Sequence, residues 1–143
     1  MTHERSVTIL KIAAIVFELF GVLMILSLLP GMAGVLTPLV QLATLDGGAT
    51  APYASVEGRF LAAVLGGVTI GLGAAVWMIT TQVYADDPIK GGPLLLVPTV
   101  AWFVTDGIGS VLAGAPFNIV LNVSFLALVA VPVIASRRNR AVA

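Results

Sequence analysis

The chain reads as an all-α bundle of four membrane-spanning helices, and three observations carry that reading. Of its 143 residues 59% are hydrophobic and only 10% charged. The mean hydropathy is +1.08. Apolar stretches long enough to cross a bilayer recur along the chain, separated by proline and glycine turns. A soluble domain carries roughly 25% charged residues, and a helix needs about 20 apolar residues to cross the hydrocarbon core. A water-soluble fold of this length has too little interior for so much apolar surface. Residues 1–143 are therefore expected to form one integral membrane domain.

The first span is expected over residues 7–29, stopped by Leu29-Pro30-Gly31. Its apolar run exceeds an ordinary signal-peptide core and is interrupted by Glu18, so it is expected to be retained. An outer loop over 30–58 follows. In it, Thr37-Pro38 reads as an N-cap with a first-turn proline, and Leu39, Val40, Leu42 and Leu45 supply an apolar face before Asp46-Gly47-Gly48. A short interfacial helix is expected there, either a lid or a loop with apolar cover. The second span is expected over 60–81 and the third over 93–113, with Asp86-Asp87-Pro88 and Gly91-Gly92 between them. Pro93 fits a first turn, and Pro98 is expected to bend the third helix or delay its start. Gly114-Ala115-Pro116 makes a tight hairpin into the fourth span, 116–135, leaving a tail over 136–143.

Orientation follows from the cations. Six of the seven Lys and Arg residues (Arg5, Lys11, Lys90, Arg137, Arg138, Arg140) fall on one side of this topology, against Arg59 on the other. Positive charge is retained on the cytoplasmic face, so both termini are expected there, in a bacterial inner membrane. The basic tail serves topology first, and an anionic lipid or a partner is its alternative use.

Composition excludes several chemistries. There is no Cys and the only His is His3, so disulfides, thiolate nucleophiles, a Ser-His-Asp arrangement, and His-ligated haem or zinc within the bundle are not expected. No cofactor, metal or nucleic-acid site is expected. Asp106-Gly107-Ile108-Gly109-Ser110 has the glycine content of a phosphate loop but lies inside a span, without the strand-turn-helix context. Asp86 and Asp87 read as solvated turn residues.

Two features of the spans remain. The second carries small residues every four positions, Ala63, Gly67, Gly71 and Ala75, beside a ridge of Ala62, Gly66 and Gly73. Small-residue stripes let helix backbones approach closely in lipid, here for packing within the chain or for a homodimer. Glu18 and Asp106 place carboxylates inside spans, where a charge costs at least ~2.5–3.5 kcal/mol. Glu18 shares a helical face with Lys11, Ala14, Gly21 and Ile25, and Asp106 with Trp102, Gly109 and Ser110. Asn118 and Asn122 share a face of the fourth helix. Arg59 opens the second helix, just after Tyr53 and Glu57. Two readings stay open: an outward-opening pocket with Glu18 at its floor, or a structural network in which Arg59 reaches Asp106 or Glu18 and the two Asn bridge helices.

The pattern Glu57-Gly58-Arg59-Phe60, Gly66-Gly67, Gly71-Leu72-Gly73, Gly114-Ala115-Pro116 and Asn118 resembles the small four-helix bacterial membrane proteins grouped as the DUF4345 family, from about Tyr53 onward. That resemblance implies a four-span bundle and no particular activity. Glu18-Leu19-Phe20-Gly21 is also similar to the first helix of small multidrug resistance transporters, although the long first outer connection and the remaining spans depart from that family. The expected function is a small membrane binding or accessory protein, holding a lipid or other hydrophobic ligand between its helices. Its expected partners are membrane lipid and either a larger membrane complex or a second copy. Proton-coupled transport of small amphipathic molecules through Glu18 is the alternative. A membrane enzyme acting on a lipid-like substrate through Glu18 and Asp106 is a lesser one.

Overall fold

The computed structural model describes residues 1–48 and 55–140, the last three without side chains. Tyr53 and the side chains of Arg138, Asn139 and Arg140 in the basic tail lie outside the described residues. The described chain is helical: α1 (His3–Leu26), a 3-10 turn (Ala33–Leu36), α2 (Thr37–Thr44), α3 (Val56–Ile79) prolonged by a π turn (Thr80–Tyr84), α4 (Pro88–Leu112) and α5 (Asn118–Arg140). Four of these helices are long and apolar enough to cross a membrane, and they form an all-α four-helix bundle. Each turns apolar side chains outward, among them Leu19 at 62% exposure, Val68 at 62%, Val97 at 67% and Val131 at 57%. Such a belt is unfavourable in water and suited to hydrocarbon.

Three of the long helices, α1, α3 and α4, begin where side chains cap them, whereas α2 starts after Leu36 with no side-chain cap, so Thr37 is its first residue and not its N-cap. Thr2 accepts from the Arg5 N–H, and Ser55 from the Gly58 N–H. Asp87 accepts from the Ile89 and Lys90 N–H groups, satisfying donors that have no partner within a first turn. That cap moves the start of α4 five residues ahead of the sequence expectation. Asp86-Asp87-Pro88 starts the helix rather than spacing it, and Pro93 and Pro98 both lie inside. Gly91 and Gly92 are helical as well. A Cβ at Gly91 would stand 2.5 Å from Tyr84 Cα, and one at Gly92 2.7 Å from an Arg137 guanidinium nitrogen, so both glycines admit close neighbours. The expected interfacial helix is α2, with Pro38 in its first turn and Leu45 at its end in the left-handed region, φ 57°.

α1 is central, packing along α3 on one side and α5 on the other, while α4 packs on α5. His3 bonds to the Ala85 carbonyl at 2.8 Å and the Ser6 hydroxyl donates to the Pro132 carbonyl at 3.0 Å. These contacts gather Arg5, Lys90 and Arg137 at one end, the basic end. The main core lies toward that end, built from Leu10, Phe17, Val76, Tyr84, Leu95, Val129 and Val133.

The α1–α3 seam is set by glycine. A Cβ on Gly21 would lie 2.6 Å from the Gly66 carbonyl oxygen, and one on Gly73 2.8 Å from the Ala14 carbonyl oxygen. The ridge that packs is therefore Ala62, Gly66 and Gly73. The Ala63, Gly67, Gly71 and Ala75 stripe is turned away: Ala63 is half-buried, the other three are exposed, and a Cβ at Gly67 or Gly71 would meet nothing within 4 Å. Two ridges 100° apart carry small residues, and the close approach of Gly21 to Gly66 and of Ala14 to Gly73 sets the Ala62 ridge against α1.

Candidate functional site

α4 approaches α3 chiefly through the π turn at the basic end. Toward the other end a cleft opens among α1, α3, α4 and α5. The α4–α5 hairpin shapes one wall. Gly114 adopts φ +76°, the Ala115 N–H returns to the Ser110 carbonyl at 2.8 Å, and the Phe117 N–H donates to the Ala43 carbonyl of α2 at 3.2 Å. This tight return sets the last turns of α4 against the first turns of α5, and ties α2 across the mouth.

Four polar residues meet on that wall. Asp106 Oδ2 accepts from Ser110 Oγ at 3.3 Å, from Asn118 Nδ2 at 3.0 Å and from Asn122 Nδ2. Asn118 Nδ2 also donates to Ser110 Oγ at 2.9 Å. The i, i+4 spacing of Asp106 and Ser110 on one helix, and of Asn118 and Asn122 on the next, makes the convergence possible. Ser110 and Asn122 are buried, at 8% and 7% exposure, and Asp106 is half-buried.

Asp106, Asn118 and Asn122 border a cavity of about 260 Å³ whose other walls include Phe20, Leu39, Val40, Leu65, Trp102 and Phe125. Phe20, Met24, Leu39, Val40 and Leu65 are shared with an adjoining cavity of about 270 Å³. A deeper recess of about 50 Å³ lies beside Phe17, Thr69 and Asn122. The floor is an aromatic cluster, with ring centroids of Phe17 and Phe125 5.1 Å apart, Phe20 and Phe125 5.4 Å, and Trp102 and Phe125 6.3 Å. A polar wall, an aromatic floor and a roof formed by α2 make a site with two chemical ends. A shallower indentation of about 420 Å³ along α4, beside Phe103 and Ile108, offers almost no polar surface.

The structure separates the remaining sequence candidates from this cleft. Glu18 lies on the α1–α3 seam, its Cγ 2.6 Å from where a Gly73 Cβ would be. Its neighbours on that face, Ala14, Gly21 and Ile25, pack against α3. It is not the floor of the pocket; Phe17 and Phe20 on the adjoining face are. Arg59 donates to the Leu28 carbonyl at 3.2 Å and pairs with neither carboxylate, because α3 carries it to the far end of the α1 seam. Lys11 stands 5.9 Å from the Trp77 ring centroid, a cation–π contact. The two Asn do bridge helices, joining α5 to α4 through Asp106.

The aromatic floor is not expected from the sequence, where Trp102 is placed on the Asp106 face without a role and Phe17, Phe20 and Phe125 are given none. Spacing held the signal: Trp102 is one turn before Asp106, and Phe125 one turn after Asn122. No described group of three or more His, Cys, Asp or Glu could hold a metal ion. Comparisons with protein-family models, curated proteins and solved structures found no match to this chain.

Proposed function

We propose that this chain is a membrane binding protein that holds one lipid-like or hydrophobic molecule in the cleft beneath α2. The observation that carries the reading is the pairing of the Asp106, Asn118 and Asn122 wall with an otherwise apolar and aromatic cavity of about 260 Å³. Ligand sites are mostly apolar concavities with a few convergent polar groups that orient the occupant. An amphiphile fits both ends, its polar head at Asp106 and its chain toward Met24, Leu36 and Leu61 in the adjoining cavity. Within this proposal the protein resides in a bacterial inner membrane with both termini in the cytoplasm, supported by the basic residues gathered at one end. The cleft then opens toward the outer half of the bilayer, and α2 acts as its lid. A role as accessory subunit of a larger complex is compatible with such binding. Glu18 stands outside the cleft walls and has no part in this reading.

The test is native mass spectrometry of protein released gently from its own membrane, compared with Ala43→Phe, which places a ring into the cavity from its roof. A one-to-one small-molecule adduct on the wild type that is lost in Ala43→Phe supports the proposal. An adduct-free wild type, or an adduct unaffected by the filled cavity, contradicts it.

A further inference from the structure

We infer that the polar end of the cleft selects a protonated amine, so that the occupant is an apolar chain carrying an ammonium head. The inference rests on the proposed cleft and follows from counting what its polar groups have left to offer. Ser110 has one O–H, and it is given to Asp106 Oδ2. Asn118 Nδ2 directs its bonds to Asp106 Oδ2 and Ser110 Oγ. Asn122 Nδ2 directs one to Asp106 Oδ2. Among the described residues, Asp106 Oδ1 and the side-chain oxygens of Asn118 and Asn122 accept no hydrogen bond. The wall thus retains three free acceptors against a single remaining N–H of Asn122. It asks for a donor.

Charge points the same way. No Lys, Arg or His lines the described cleft. Arg59 is engaged with the Leu28 carbonyl, while Lys90 and Arg137 belong to the basic end. The Asp106 carboxyl group is therefore held by neutral donors with no cation beside it. Phe20, Trp102 and Phe125 border the same cavity, and aromatic faces attract an organic cation within about 6 Å of a ring. A small hydrated metal ion would gain nothing from Leu39, Val40, Leu65 and Leu121 around it. An alkylammonium gains from both ends.

The test is titration calorimetry on the full chain in nonionic detergent micelles, using hexylamine, hexanol and hexanoate, which share a chain and differ in head charge. Hexylamine is expected to bind at least tenfold more tightly than hexanol, and hexanoate more weakly than both. Asp106→Asn, which keeps the shape and an acceptor oxygen, should weaken hexylamine at least tenfold more than it weakens hexanol, so that the preference between the two is lost. Equal binding of hexylamine and hexanol to the wild type overturns the inference while the cleft itself stands, as does preference for hexanoate. Absence of binding by all three overturns the cleft as well. The wild-type series decides the matter even if Asp106→Asn fails to fold. A second pair, lysophosphatidylethanolamine against lysophosphatidylglycerol, assigns the source: discrimination between them identifies a membrane-lipid headgroup, and its absence beside a hexylamine preference identifies a free amphiphilic amine.

Discussion

Replacing Gly21 by Ala tests the packing of the bundle at the α1–α3 seam. The added methyl would meet the Gly66 carbonyl oxygen at 2.6 Å, Ile70 Cγ1 at 2.7 Å and the Ile70 nitrogen at 2.9 Å, all well inside the 3.4 Å where ordinary contact begins. Two of these are backbone atoms of α3, which have no rotamer to change, so α1 and α3 must separate. A gap of about 0.5–1 Å forfeits a quarter to a half of each dispersion contact, and overpacking of this kind costs about 1–3 kcal/mol. Alanine returns about 1 kcal/mol through its better helix propensity. Backbone contact places the overpacking cost near the top of its range, so a net loss of about 2 kcal/mol is expected.

Gly67→Ala on the neighbouring ridge supplies the control. Its methyl meets nothing within 4 Å, so only the propensity gain remains, about 1 kcal/mol or less. Thermal unfolding in one mild detergent, followed by circular dichroism, reads both variants. Destabilisation by Gly67→Ala together with a neutral Gly21→Ala would show that α3 packs through the other ridge, and the seam described above would be wrong.

Three further outcomes are expected. Asp106→Ala leaves Ser110, Asn118 and Asn122 without their shared acceptor and should cost about 1–3 kcal/mol in the same assay; an unchanged melt would remove the cluster from the stability of the α4–α5 hairpin. Arg59→Ala loses one exposed bond to the Leu28 carbonyl and should shift stability by less than about 1 kcal/mol; a larger loss would reinstate Arg59 as the partner of a carboxylate. At the other end, the Lys90 backbone N–H holds the Asp87 carboxyl below its ordinary value. The folded pKa is the lower one, so the unfolded chain takes up the proton first. The charged cap's contribution is full above pH about 4 and is lost as pH falls through the lowered value. Asp87→Asn keeps a capping oxygen without the charge, so its stability difference from wild type should shrink on acidification; a difference constant across pH 3 to 6 contradicts the assignment.

Much of the fold is legible in the residues because a spanning helix satisfies its own backbone and needs only length and apolarity. Spans shifted by a few residues where caps decided their ends, as Asp87 did for α4. The small residues of α3 were legible as packing groups, yet which of two ridges meets α1 was not. The cluster was legible in part: Asp106 and the i, i+4 pair Asn118 and Asn122 are polar residues inside spans, and they do meet. Glu18 and Arg59 carry the same signal and do not join them. Polarity within a span says that a side chain needs compensation, not where it finds it.

The sequence by itself determined the class of structure, four apolar helices joined by proline and glycine turns, with the cations gathered toward one side. The first is a property that each segment states alone, and the second follows from the number of spans between the charged ends and connections. Only the tertiary structure decided that α4 and α5 focus Asp106, Ser110, Asn118 and Asn122 on one wall. It also decided that Phe17, Phe20, Trp102 and Phe125 form the floor, and that α2 lies over the mouth. Those facts depend on how helices rotate about their axes against one another. That rotation is set by the fit of Gly21 to Gly66 and of Ala14 to Gly73 across the α1–α3 seam, a pairwise property that neither helix carries alone.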